Sequence, residues 1–382
     1  MGIPASQTQI SPPDAVPPGT RQVSRSKKRV FALSTALAAL SLLRAPAVAA
    51  DAPTMFGYPA AALAPTVPVT QFSSFTQVYP TYRQDVRRVS FTPQRTISAR
   101  EVPVGGLNQI IDPDGSVAHI MPMRGSAQPA VMPGSPLNSP YNGKPLLYHG
   151  GSIQHSPKQV LILWGFGTCK SKCSNDPYGT VPYLYTLLKE GGGAPYFNST
   201  TQYYEKVGKS VIYVTNPSNT LYSYIIDNNP APAHPTGAQV AKQAQAVQAF
   251  LKLSNNRDFN YVVALGYHHD PSGFSSGQYC AYHTAFGTTA NYQPYTVFPY
   301  VAEVGKACYA DTVNGADDGV TITLGHEVGE AITDPGPNSG WVDAQGYENG
   351  DKCNYVFQND NFHGYALPVQ PLWSNAVGNC SF

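Results

Sequence analysis

Three ionisable residues lie close together in one apolar segment, "TITLGHEVGEAITDP" (residues 321–335). His326 and Glu330 are four residues apart, so in a helix they project from the same face. A neutral imidazole nitrogen and a carboxylate oxygen are both zinc ligands. Glu327 stands where H-E-x-x-H zinc helices carry the glutamate that takes a proton from metal-bound water. The segment therefore predicts a zinc centre with His326 and Glu330 as ligands and Glu327 as the catalytic base.

A glutamate in the second ligand position lowers the specificity of this pattern. The glutamate adds a negative charge to the ligand set, so the bound ion is a weaker Lewis acid than an ion held by two histidines. The spacing also fits a helix whose glutamates only reach solvent. The apolar neighbours nevertheless favour a buried helix, and a buried carboxylate without a partner is costly, so a cation or hydrogen-bond donors must be near. These neighbours are Ile322, Leu324, Val328, Ala331 and Ile332.

A third ligand is expected from the Gly-rich segment "GWVDAQGYENGDKC" (residues 340–353), which follows the helix and can fold back over it. Pro335 disfavours α geometry at the residue before it, which ends the helix there and turns that acidic residue away. The spacing leaves the choice of ligand open. The candidates are Asp334, Asp343, Glu348 and Asp351.

Other histidines compete as ligands, among them His268 and His269 in "GYHHD" and His283 in "CAYH". A loop histidine next to a disulfide cysteine is more often a hydrogen-bonding structural residue, so we interpret His283 in that way. His363 and Tyr365 could donate to a developing oxyanion, although no spacing requires it.

The elements that position the helix follow from alternating β-rich and helical patterns, which predict an α/β fold with a mixed sheet and helices packed on it. Asp317 or Asp318 is available as the N-cap of the metal helix. The predicted strands cover residues 158–165, 209–215 and 260–267, and the other predicted helices cover residues 181–190 and 237–253.

The first 50 residues have the pattern of a secretory signal peptide. Four basic residues precede a 14-residue apolar run (residues 30–43), and the small residues Ala49 and Ala50 follow as the cleavage region. A membrane anchor is the alternative, but the run is too short to span a bilayer, and no later stretch has 18 apolar residues. We therefore predict a protein that is secreted to the extracellular space or the periplasm, with no membrane span after the signal is removed.

All six cysteines lie beyond this leader, and an even number in an exported chain predicts disulfides. Short spacing favours Cys169–Cys173, and sequence order then favours Cys280–Cys308 and Cys353–Cys380. A structural zinc site made of cysteines is excluded because there is no second close pair.

Residues 51–145 are rich in proline, alanine, serine and threonine, which is typical of a pro-segment or linker. A hairpin around Asp114 and Gly115 is the exception that we expect within it. Residues 146–382 are predicted to form the globular domain. This acidic body and the basic leader have separate roles, and the acidic balance argues against nucleic-acid binding by the body.

Four segments of the globular part occur in a characteristic order: "YHGGSIQHSPKQVLILWG", "QYCAYHTAF", "GHEVGEAITDPGPNSGWVDAQGYENGDKC" and "YALPVQPLWSNAVGNC". Over about residues 145–382, the chain resembles the exported bacterial relatives of the plant phosphate-induced, EXORDIUM-like proteins. The resemblance implies an extracellular or cell-wall protein with a zincin-like helix, and it implies Glu348 as the acidic residue that closes the site. Plant members often lack the His-Glu pair and are discussed as wall-associated growth factors, so the resemblance supports location and fold more strongly than catalysis.

Two functions are consistent with the sequence. The first is a secreted zinc-dependent hydrolase, with a metallopeptidase as the first choice, in which His326, Glu330 and Glu348 bind zinc and leave a position for water. The second is a non-catalytic protein with a structural or vestigial metal site, calcium being the less favoured ion. In both cases the expected partner is an extracellular protein or a cell-wall polymer. Many of the 25 tyrosines could stack on sugar rings, but packing explains them more simply.

Overall fold

A mixed sheet is the centre of the fold. The computed structural model describes residues 74–78, 109–111, 117–124, 144–288 and 291–382. The predicted signal peptide lies outside the described residues. The strands are β1 (Phe75–Val78), β2 (Gln109–Ile111), β3 (Val117–Pro122), β4 (Leu147–Tyr148), β5 (Lys158–Trp164), β6 (Tyr204–Val207), β7 (Ser210–Tyr213), β8 (Leu221–Asp227), β9 (Phe259–Leu265), β10 (Tyr279–Thr288), β11 (Asn291–Phe298), β12 (Trp341–Val342), β13 (Gln358–Phe362), β14 (Tyr365–Val369), β15 (Leu372–Ser374) and β16 (Asn379–Ser381). The helices are α1 (Val181–Glu190), α2 (Pro195–Asn198), α3 (Gly237–Phe250), α4 (Ser272–Ser275) and α5 (Asp318–Thr333).

Eight of these strands form one sheet in the order β1-β8-β5-β9-β11-β10-β3-β2. The inner strands β8, β5, β9 and β11 are parallel, and both ends of the sheet are antiparallel. Strands β5 and β9 are almost continuously apolar and buried, as strands covered on both faces must be. The predicted α/β class with a mixed sheet is confirmed.

Helices α3 and α5 cover opposite faces of this sheet. Thr296 of β11 is the register partner of His283, so the two side chains share a face, which is the face that α5 covers. Gln293 is three residues from Thr296 and therefore points the other way. There it accepts a hydrogen bond from Gln248 of α3 (3.0 Å).

Helix α5 carries the residues "HEVGE" and is buried along its whole length. It contacts β10, β11 and β3 of the sheet, and it also contacts α1 and β14. Its small residues permit this close packing: a Cβ on Gly329 would lie 2.6 Å from Leu372 Cδ1. His326, Glu327 and Glu330 therefore have no contact with solvent, which is the central constraint on the site.

The two ends of α5 are fixed by aspartates. At the start, Asp318 Oδ2 accepts the backbone N–H groups of residues 312–315, while the N-cap residue Asp317 makes no side-chain cap bond and accepts from the Tyr183 hydroxyl (2.9 Å). At the end, Asp334 leaves helical geometry before Pro335, as the sequence predicts.

The disulfide prediction is confirmed for all three pairs: Cys169–Cys173, Cys280–Cys308 and Cys353–Cys380. The last pair ties the segment after α5 to the C-terminal strand β16. No described helix is long and apolar enough to cross a membrane.

Some sequence-based boundaries differ from the structure. The strand predicted at residues 209–215 is β7, which pairs only with β6 in a separate hairpin. Strands β1, β2 and β3 come from the segment that composition assigns to a linker, yet they pair with β8 and β10 in the main sheet. The linker interpretation of residues 51–145 therefore does not extend to these strands. Strands β2 and β3 are the two arms of the expected hairpin, whose Asp114-Gly115 turn lies outside the described residues.

We predict that a chain beginning at residue 146 does not fold. It lacks β3, so β10 loses a hydrogen-bonded neighbour and the core loses Ile120 and Met121, which are both buried. A chain beginning at Pro59 keeps every described strand and is the control. Solubility and cooperative thermal unfolding measure the difference. Equal unfolding midpoints for the two chains would show that residues 59–145 are dispensable.

Candidate metal centre

The predicted metal helix directs its three ionisable side chains into a closed space between α5 and the sheet. His326, Glu327 and Glu330 each have no exposed surface. His326 Nε2 lies 3.0 Å from Glu330 Oε1, as expected for residues one helical turn apart. The pair predicted from spacing is therefore brought together.

The segment after β12 supplies the acidic residue closest to this pair. Asp351 Oδ1 lies 3.8 Å from His326 Nε2, and the Asp351 backbone N–H donates to Glu330 Oε1 (2.9 Å). Ligand atoms of His326, Glu330 and Asp351 all lie within 4.8 Å of one another. Of the four candidates for the third ligand, Asp351 is the one that groups with the predicted pair.

Glu348, which the resemblance implied as third ligand, lies on the sheet side of the same space. Its Oε2 is 2.5 Å from His119 Nδ1 and its Oε1 is 3.4 Å from His283 Nε2. It groups with His119 and Asp351 and not with His326. Its role as a zinc ligand stays a prediction.

The other two candidates are engaged elsewhere. Asp334 accepts the backbone N–H groups of Asn338, Ser339 and Gly340, so its carboxylate organises the turn after the helix. Asp343 binds the buried ammonium group of Lys352 (2.9 Å).

His283 belongs to the centre, although the sequence favoured a structural role beside the disulfide. Its Nδ1 lies in hydrogen-bonding geometry 3.1 Å from Glu327 Oε2 and also lies 3.6 Å from Glu330 Oε2. The other ring nitrogen, Nε2, has an acceptor of its own, the backbone oxygen of Asp334, at 3.3 Å. A ring with an acceptor at each nitrogen is suited to the protonated, positively charged form.

His119 is the site residue that the sequence analysis missed. It lies on β3 and is the register partner of His283 on β10, which places both rings on the face covered by α5, with centroids 5.7 Å apart. Composition assigns its segment to a linker. The available signal was a single histidine within the apolar run "VAHIMPM", which is typical of a buried strand.

Glu327, the predicted base, is held at both oxygens. Oε1 accepts the backbone N–H of Met121 in β3 (2.9 Å), and Oε2 is bound by His283. It also groups with His283 and Glu330 as a set of potential ligand atoms. Glu327 therefore lies beside the ligand pair, as the motif requires of a proton acceptor.

Two buried atoms of the predicted ligand pair, His326 Nε2 and Glu330 Oε2, make no hydrogen bond. The nitrogen lies 3.0 Å from the other oxygen of Glu330 and 3.8 Å from Asp351 Oδ1. These atoms are close without a hydrogen bond between them, as ligand atoms around a common ion are. Because buried polar groups are normally hydrogen-bonded, this convergence points to a cation.

Gln370, between β14 and β15, also acts on His326. Its Nε2 donates to Gly350 O (2.6 Å) and lies 2.9 Å from His326 Nδ1. With the Gln370 amide at Nδ1, the other ring nitrogen, Nε2, is the one that faces Glu330 and Asp351.

The electrostatics are those of an excess of buried carboxylates. Burial lowers the pKa of His283, but the charges of Glu348 and Glu327 outweigh it and raise that pKa well above its usual value. Burial and the neighbouring carboxylates raise the pKa of Glu330 well above its usual value. Burial, with the charge of Glu348, raises the pKa of Asp334 to about 7. Burial opposes ionisation of Glu348, but His119 and His283 outweigh it and lower that pKa.

The remaining predicted residues lie away from the centre. His268 groups with Asp270 and Glu303 near the ends of β9 and β11. His269 Nδ1 contacts Pro232 O (2.9 Å). His363 Nε2 contacts Gly192 O (2.8 Å), and Tyr365 is 38% exposed, whereas the residues of the centre are buried.

Comparisons of the chain with protein-family models, with curated proteins and with solved structures give no match. The EXORDIUM-like resemblance and the zincin-like comparison therefore stay predictions, and the centre has to be interpreted from its own chemistry.

We predict that the metal-free protein becomes less stable as the pH rises from about 4 to about 7. Asp334 has a folded-state pKa of about 7, against 3.8 for the ordinary group, so folding binds a proton within this window and that stabilisation is lost as the pH rises. Glu330 acts in the same direction. Glu348 does not oppose this trend. Folding lowers its pKa, so its contribution to stability is already complete above its ordinary pKa of 4.5 and does not grow further in this window. Denaturant midpoints in chelator measure the trend. Asp334→Asn should flatten it, and a rise in stability across the window would contradict it.

We predict that Gly350→Ala damages the centre. The new Cβ would lie 2.8 Å from Glu330 Oε1 and 2.9 Å from His326 Nδ1, so the ligand pair has to shift. We expect a loss of about 1–3 kcal/mol in unfolding free energy, together with weaker metal binding. Gly315→Ala is the matched control, since its Cβ meets nothing within 4 Å. Equal zinc affinity in both variants would place the ion elsewhere.

Proposed function

We propose that the chain is an exported metalloprotein that binds a divalent cation, zinc in the first place, between α5, the sheet and the 340–353 segment. The observation that carries the proposal is the convergence of three buried ligand residues, in which His326 Nε2 and Glu330 Oε2 make no hydrogen bond and Asp351 Oδ1 lies 3.8 Å from that nitrogen. His326, Glu330 and Asp351 would hold the ion. Three disulfides support an oxidising, extracellular or periplasmic location.

The donor set fits zinc better than calcium. Imidazole nitrogen next to carboxylate oxygen is typical of zinc, whereas calcium takes oxygen ligands alone. Sulfur ligands are excluded, because every cysteine is in a disulfide.

We propose further that this ion serves hydrolysis, with peptides as the substrate class. A zinc ion polarises a carbonyl and lowers the pKa of bound water. Of the chain's own residues, Glu327 is placed to accept a proton, because its carboxylate groups with that of Glu330 and its Oε2 contacts His283. The Met121 N–H fixes the other oxygen, which keeps the carboxylate in place.

Complete burial favours a second candidate function, a non-catalytic secreted protein in which the metal stabilises the fold. Hydrolases present their ions at concave, accessible sites, whereas His326, Glu327 and Glu330 have no exposed surface.

The second candidate gains little support from the idea that tyrosines stack on sugar rings. The loops "TQYYEKVG" and "NYQPYTVFPY" fold into β6 and β11, where Tyr203, Tyr295 and Tyr300 are buried.

We predict that Glu327→Gln lowers casein hydrolysis by at least about 100-fold while zinc content stays unchanged, because the variant keeps the shape of the side chain but cannot accept the proton. Glu190→Gln, at the end of α1, is the control and should hydrolyse casein as the wild type does. Full activity in Glu327→Gln would refute its role as base.

Chelation separates the two candidate functions. For the hydrolase, removal of the metal abolishes casein hydrolysis and added zinc restores it. For the structural metal, the zinc-loaded wild type never hydrolyses casein, and chelation lowers the thermal midpoint. A protein that contains no zinc and keeps its midpoint in chelator would refute the metal centre itself.

A further inference from the structure

We propose that the centre holds two divalent cations, bridged by Asp351. The inference rests on the proposed metal centre and deepens it. The first ion is bound by His326, Glu330 and Asp351, and the second by His119, Glu348 and Asp351. Each set contains one imidazole and two carboxylates, and only Asp351 is common to both.

A single ion at His326 and Glu330 leaves the sheet side of the centre to its own residues. Glu348 is fully buried there, with the imidazoles of His119 and His283 next to its two oxygens. A buried carboxylate needs such a partner or a metal ion. A second ion would bind Glu348 and His119 together.

The contact between His119 and Glu348 is the geometric argument for the second ion. Nδ1 and Oε2 are 2.5 Å apart, which is a short ion pair in the metal-free chain. A cation would take the place of the proton between them and hold the two atoms further apart. His119 is buried on β3 and contacts the centre from the side opposite to α5.

Asp351 is positioned to bridge the two sets. Its Oδ1 faces His326 Nε2 at 3.8 Å, and Asp351 also offers a ligand atom within 4.8 Å of those of His119 and Glu348. The short helix Asp351–Cys353 and the Cys353–Cys380 disulfide fix the backbone at this point. Two-metal sites of this kind clamp both reacting oxygens of a hydrolytic step.

His283 is not a ligand in this arrangement. Both its nitrogens already have acceptors outside the two ligand sets, Glu327 Oε2 and Asp334 O. The histidines therefore divide into two ligands, His119 and His326, and one residue that orients Glu327.

Metal stoichiometry tests the inference. The full chain is stripped with chelator, titrated with zinc, desalted and analysed for zinc per chain by elemental analysis and native mass spectrometry. We expect two ions in the wild type and one in His119→Ala or His326→Ala. His149→Ala, at an exposed position, is the matched control and should retain two. If the wild type binds one ion and His119→Ala still binds it, the second site is overturned and the proposed function stands. If the wild type binds no ion at all, both are refuted.

A spectroscopic measurement on the wild type covers the case in which a variant does not fold. Cobalt replaces zinc, and the electron paramagnetic resonance signal is followed through the titration. If Asp351 bridges two ions, the signal of the first cobalt should weaken by at least half as the second binds, because the two spins couple. A signal that saturates at one equivalent, or two signals that simply add, would overturn the bridged pair.

Discussion

The burial of negative charge between α5 and the sheet is the constraint on which the rest of the structure depends. Four carboxylates (Glu327, Glu330, Glu348 and Asp351) lie in a space without solvent contact, next to three histidines. Protein interiors do not hold such groups unless they are protonated, paired or bound to metal. Burial and the neighbouring carboxylates raise the pKa of Glu330, whereas His119 and His283 outweigh burial and lower the pKa of Glu348.

The architecture concentrates this charge by bringing distant parts of the chain to one point. Strand β3 provides His119, β10 provides His283, and α5 provides the His-Glu pair, while the segment closed by the Cys353–Cys380 disulfide provides the acids. The strand register is important here, because the pairing of β3 with β10 places the two imidazoles side by side. Without that pairing, the Glu327 carboxylate would also lose the Met121 N–H.

Local patterns predicted the parts of the fold whose information is local. The α/β class, strands β5 and β9, helices α1 and α3, the helix with His326 and all three disulfides follow from periodicity and cysteine order. The grouping of Glu330 with His326 follows from the helical repeat. Register and long-range pairing are not local, so His119, 207 residues before His326, gave no sign of sharing a site with it. Composition assigned its strand to a linker, because proline and alanine in its surroundings outweighed a six-residue run.

The choice among the acidic residues shows the same limit. Sequence spacing could not separate Asp351 from Asp343, since both lie on one loop. The structure separates them by their partners: Lys352 neutralises Asp343, whereas Asp351 faces His326.

An anomalous difference map from crystals grown with zinc, recorded on both sides of the zinc absorption edge, tests the central claim most directly. The account predicts a peak at about 2.0–2.2 Å from His326 Nε2 and from a Glu330 oxygen. A map without a peak there, in which those two side chains are joined only by a hydrogen bond, would contradict it.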